Sequence, residues 1–158
     1  SVRQRVRQGL EIIKKENPLF DLRNTTENEI RQLMKKLPPE LGQPLLGAVL
    51  NRDLTGEGLK VLTASSFDEK EFGRLLLAEQ DILRDLLGIS TPRIDHLLKT
   101  ALEQGALGGK INGSGGGGCL FVYAPDEPEK VARAIQESGG KPYIITVDSG
   151  LTSEKEFY

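Results

Sequence analysis

The sequence predicts an α+β domain in which helices pack on one face of a small, largely antiparallel sheet. Three observations lead there. Apolar residues recur at helical spacing through the first two-thirds of the chain. From Ala106 the order changes to strand, glycine-rich loop, strand, helix, strand. The loop itself, Gly113 to Gly118, lies between two runs of strand length. A chain of 158 residues fits one domain, residues 1–158, with length enough to bury a core.

Val2, Val6, Leu10 and Ile13 share one face of a first helix, over residues 2–15, that Asn17-Pro18 stops. Thr26 and Glu29 have the spacing of a capping box, ahead of a stripe of Ile30, Leu33, Met34 and Leu37. Pro38-Pro39 ends that helix and starts another, with Leu41, Leu45, Leu46, Val49 and Leu50 inward. Gly56 and Gly58 leave open whether it continues or breaks. A long helix over residues 67–87 turns Phe72, Leu75, Leu76, Leu83 and Leu86 inward and stops at Gly88. Thr91 and Pro92 open a further helix with Ile94, Leu97, Leu98, Ala101 and Leu102 on its inner face, closed by Gly105.

Leu107 to Asn112 then reads as a short strand. Cys119-Leu120-Phe121-Val122-Tyr123 is a continuous apolar run, the pattern of a strand buried on both faces. Pro128 to Ser138 forms a helix that Gly139-Gly140 ends, and Tyr143 to Val147 reads as a last strand. The polar tail after Gly150 is expected to fray.

Composition excludes several classes. Lys plus Arg is 21 and Asp plus Glu 23, a net charge of −2 without a basic patch, so no nucleic-acid partner is expected. No apolar run approaches a membrane span, and the N-terminus lacks a signal-peptide core, so no membrane partner is expected. A single cysteine, Cys119, excludes an intrachain disulfide and points to a reducing, cytoplasmic setting. One His and one Cys argue against a structural zinc site.

Five of the six residues from Gly113 to Gly118 are glycine. A tight hairpin needs one or two. A chain bears the entropy cost of more when its backbone must take positive φ or come very close to something else. Successive backbone N–H groups in such a loop converge on an anion, with phosphate the natural guest. Lys110 is placed to add a point charge and Ser114 a hydroxyl donor. Gly113-x-Gly115-x-x-Gly118 satisfies the dinucleotide fingerprint formally, but a strand follows where that fingerprint needs a helix. No Gly-Lys-Ser/Thr ends the loop, so the Walker pattern fails as well.

The run from Gly105 through Gly109-Lys110-Ile111-Asn112-Gly113-Ser114-Gly115-Gly116-Gly117-Gly118-Cys119 strongly resembles the third signature motif of the GHMP kinases, a family that includes galactokinase and mevalonate kinase. Ser90-Thr91-Pro92-Arg93-Ile94-Asp95 and Gly139-Gly140-Lys141 are similar to that family too, and the likeness covers about residues 66–148. The stretches around Leu22-Arg23 and Leu37-Pro38-Pro39-Glu40-Leu41 look more like galactokinases, and the loop is as close to mevalonate kinases.

The resemblance implies the C-terminal domain of a two-domain enzyme, ferredoxin-like with an added helical segment. Such an enzyme moves the γ-phosphoryl group of ATP, with Mg²⁺, to the hydroxyl of a small sugar or alcohol; a galactokinase-like sugar is expected first, mevalonate second. The motif places Gly113, Ser114, Gly115, Gly116, Gly117, Gly118 and Lys110 at the nucleotide and substrate cleft, although Ser114 departs from the small apolar residue or glycine usual there. The family's Ser-rich phosphate loop, catalytic Asp and Lys, and magnesium-holding Ser and Glu belong to an N-terminal domain with no counterpart in this sequence. No catalytic residue and no metal ligand are therefore expected in this chain, which alone should not turn over substrate. A non-catalytic binding or regulatory module that kept the fold is the alternative from a different class.

Other residues read as structural: Cys119 at the mouth of a strand, His96 on a solvated helix face, Asp53 and Glu57 near a helix end, and Asp148 in a turn.

Overall fold

The computed structural model describes residues 1–148 and residue 150. Six α-helices precede and flank one antiparallel hairpin: α1 (Val2–Glu16), α2 (Glu27–Leu33), α3 (Pro39–Thr63), α4 (Glu69–Asp81), α5 (Pro92–Glu103), β1 (Gly108–Ile111), β2 (Leu120–Tyr123) and α6 (Pro128–Glu137). A 3₁₀ turn, Met34–Lys36, extends α2, and a π-helical turn, Ile82–Leu86, extends α4.

The capping box of Thr26 and Glu29 opens α2 and Thr91 caps α5, as the sequence predicts, and prolines open α3, α5 and α6. Asp68, which the sequence reading does not mark as a cap, caps α4, which begins at Glu69 rather than at 67. α3 runs straight through Gly56 and Gly58, where the sequence left a break open. Both glycines face open space, so tertiary packing of the first half of α3 carries the helix past their low propensity.

The helical layer α1–α3 has its own core of Ile13, Phe20, Ile30, Leu37, Leu45, Leu46 and Val49. At the hairpin, Gly108 pairs with Tyr123, Gly109 with Val122, Lys110 with Phe121 and Ile111 with Leu120. Ile111 packs with Leu83 and Ile94, while Val122 packs with Ala101, Ala106 and Val131, so α5 and α6 cover one face of the hairpin. The opposite face carries Lys110, Phe121 and Tyr123 toward α4, where Tyr123 meets Phe67 and Phe72 edge to face and those two rings lie tilted against each other. Tyr123 donates its hydroxyl to Glu69 at 3.2 Å.

Two strand expectations need correction. Leu120–Tyr123 is half-buried rather than fully buried, because β2 has a single neighbour and its other edge has no ladder partner among the described residues. Tyr143–Val147 forms no strand: a strand exists only when a neighbouring backbone pairs with it, and the sheet of the described residues holds β1 and β2 alone. Val147, Ile145 and Tyr143 stand exposed in consequence. The tail after Gly150 lies outside the described residues.

Candidate functional site

The glycine loop joins β1 to β2. Asn112 donates its backbone N–H to Cys119 at 3.0 Å, which closes the hairpin stem, and residues 113–118 bulge beyond it. Gly113, Gly115, Gly116 and Gly117 take φ of 79°, 79°, 76° and 93°, the left-handed region that side chains disfavour. Four such residues in a row of five bear out the backbone reason for the glycines.

The loop does not hang free. Gly116 donates its N–H to the carbonyl of Ile89 at 3.0 Å. A Cβ on Gly115 would stand 2.6 Å from that same carbonyl oxygen, and one on Gly117 would touch Thr91. The loop is therefore seated on residues 88–91, the segment that leads into α5. Gly118 differs from the rest. It lacks a positive φ, and nothing stands within 4 Å of where its Cβ would lie. Neither conformation nor crowding inside this chain requires a glycine there.

The sequence-predicted residues separate into two groups. Gly113 to Gly118, with Ser114, share the exposed loop. Lys110 points instead to the α4 face, where its Nζ sits 3.0 Å from Glu79 and over the Phe121 ring. That partner balances its charge on the α4 side of the hairpin. His96 is exposed, as expected. Cys119 is exposed too, ahead of β2 rather than inside it. Asp148 accepts from the Gly150 N–H, the turn role read from its position.

Two features escaped the sequence reading. Gln80 is 1% exposed and bonded at both ends of its side-chain amide, to Ile111 and Ser90. The available signal was a polar residue at an inward position of α4, one turn beyond Leu76 and three residues before Leu83. The second is the π turn after α4, which nothing in the local sequence marks. Two surface grooves, of about 590 and 260 Å³, lie along α2 and between α3 and α4, and neither takes in a residue of the loop. Among the described residues no group of three or more His, Cys, Asp or Glu is placed to hold a metal ion. No helix among them is long and apolar enough to cross a membrane.

Comparison with known proteins places this geometry in context. The family model for the GHMP kinases C terminal matches residues 61–141. The mevalonate kinase of Thermococcus gammatolerans is 37% identical over 122 residues, covering 74% of this chain and 35% of that protein. The galactokinase of Haemophilus influenzae is 28% identical over 146 residues, covering 84% of this chain and 38% of that protein. Among solved structures, Lactococcus lactis galactokinase complexed with galactose superposes with a TM-score of 0.74 at 25% identity, over 89% of this chain and 38% of that one. The chain thus spans little more than a third of the length of these relatives. The matched region takes in α4, α5, the hairpin with its loop, and α6.

Proposed function

Because the chain belongs to the GHMP kinase C-terminal family, we propose that it is the C-terminal part of an ATP-dependent small-molecule kinase, and that Gly113–Gly118 lines the cleft for the phosphate donor. Gly118 carries this reading. A glycine with ordinary φ and no neighbour inside the chain is explained when something outside the chain comes within a methyl group's distance. With the Gly116 N–H taken by Ile89, the exposed positive-φ residues Gly113 and Gly117 offer backbone N–H groups to an anion.

ATP is the donor by family. Magnesium and the groups that activate the acceptor hydroxyl belong, in this proposal, to the rest of the kinase polypeptide. What this chain contributes is a preorganised backbone surface that needs no rearrangement as charge moves between phosphates. For the acceptor, the 37% identity to an archaeal mevalonate kinase supports a mevalonate-type hydroxy acid. A sugar is the second reading, supported by galactokinase matches that span 84% and 89% of this chain.

The test is calorimetric titration of MgATP into this chain and into the longer polypeptide that contains it, with Gly118→Ala beside the wild type in each. We expect binding in the longer polypeptide and a loss of about tenfold or more on Gly118→Ala, equivalent to about 1.4 kcal/mol, with unchanged unfolding of this chain. Wild-type affinity in the variant would remove the loop from the site. Mevalonate and galactose, offered in turn as acceptors to the longer polypeptide, separate the two readings.

A further inference from the structure

We infer that Gln80 is the positioning residue of the glycine loop: its side-chain amide ties the loop's point of entry to the segment on which the loop is seated. Its relevance to phosphate-donor binding rests on the reading proposed above; the brace itself does not.

Gln80 lies at the end of α4, fully buried. Its Oε1 accepts the backbone N–H of Ile111 at 2.9 Å, on the edge of β1 away from β2. Ile111 is the last residue of β1, and the loop begins after Asn112. Its Nε2 donates to Ser90 Oγ at 3.2 Å, in the 88–91 segment that receives Gly116 and crowds Gly115. One side chain therefore holds both the stem and the seat.

The donor inventory fixes the direction of every bond. The Ile111 N–H can only donate, so the amide oxygen must face it and the NH₂ must face Ser90. Ser90 then accepts from Gln80 and has one proton left, which it gives to Asp95 Oδ1 at 2.7 Å. Asp95 lies in the first turn of α5, where a carboxylate suits the helix N-terminus. The chain Ile111→ carbonyl of Gln80, amide of Gln80→Ser90→Asp95 has a single polarity, which neither a carboxylate nor a hydrocarbon of similar size reproduces. An ionised Glu side chain keeps the acceptor for Ile111 but loses the donor for Ser90, whereas a protonated one supplies both. A Met side chain loses both.

The amide exchange of this chain, followed residue by residue by NMR, tests the brace. Gln80→Met is expected to speed exchange at both Ile111 and Gly116 by about tenfold or more, the cost of leaving buried polar groups unpaired, while Ile30 and Val49 in the α1–α3 core keep wild-type rates. An equal rise at all four positions makes Gln80 a core filler and overturns the inference, as does an unchanged Gly116. Should Gln80→Met fail to fold, Ser90→Ala decides. It removes the Ser90 arm, together with the Ser90–Asp95 bond, and leaves the Gln80–Ile111 bond, so it must loosen Gly116 more than Ile111; an equal change at the two overturns the proposal. MgATP titration of the longer polypeptide is read separately. Exchange that behaves as stated, without any nucleotide binding, retires the functional reading and leaves the brace standing.

Discussion

Gly73 on α4 and Gly108 on β1 meet backbone to backbone: a Cβ on Gly108 would lie 2.7 Å from the Gly73 Cα, and one on Gly73 would lie 2.7 Å from the carbonyl carbon of Leu107. The contact presses the helix directly against the strand and sets their relative register. Two turns further along α4 stands Gln80, and three residues further along β1 stands Ile111. Seven residues of helix rise about 10.5 Å and three residues of strand span about 10 Å. The two elements thus keep step, and the Gln80–Ile111 bond falls where the glycine contact puts it.

A methyl group at either glycine must push the helix off the strand, since the obstructing atoms are backbone and cannot rotate away. Gly108→Ala and Gly73→Ala are each expected to lower unfolding stability by about 3 kcal/mol, the upper part of the overpacking range. Urea denaturation should show a lower midpoint at an unchanged slope. A loss under 1 kcal/mol would mean that the two elements are not held in this close contact.

Gly56 and Gly58 make the opposite case. Both sit inside α3, with nothing within 4 Å of an added Cβ. Alanine at either position should raise stability by about 1 kcal/mol, through helix propensity and a less disordered unfolded chain. The same denaturation series reads this out. A fall in stability would mean that the helix does break there.

Much of this fold was legible because its signals are local. Thr26 with Glu29, Thr91 with Pro92 and the glycine stops are written in consecutive residues, and each acts where its pattern predicts. The glycine loop was legible for the same reason, and its positive φ values follow from its composition. What depended on distant residues was not. Lys110 was read as a charge beside the loop, yet its direction is set by Glu79 on α4 and by the alternation along β1. Gln80 went unread, because its partner Ile111 stands 31 positions away.

Residues 143–147 belong with that second group. Their alternation of large and β-branched side chains is a true strand signal, but pairing requires a second backbone. Amide exchange of this chain should therefore find Ile145 and Val147 close to unprotected, while Ile111, bonded to Gln80, and Leu107, bonded to Tyr123 across the hairpin, are slowed by orders of magnitude. Protection at Ile145 and Val147 matching the hairpin would show a pairing absent from the described residues.

The capping box of α2 gives a prediction in pH. Glu29 accepts from the backbone N–H of Thr26 and from its hydroxyl, both at 2.7 Å, and these bonds to the ionised form hold its carboxyl below the ordinary glutamate value. The backbone bond is the larger cause and the hydroxyl the second. A carboxyl depressed in the folded state adds stability that is fully present above its unfolded pKa and is lost as pH falls through the folded one. NMR titration of Glu29 should thus find its midpoint below the ordinary glutamate value. Thr26→Ala removes the hydroxyl bond but keeps the backbone N–H, so the midpoint should rise only part of the way back. A full return to the ordinary value would mean that the hydroxyl, by fixing the geometry of the cap, governs both bonds; no change would mean that Glu29 does not reach back to the cap in solution.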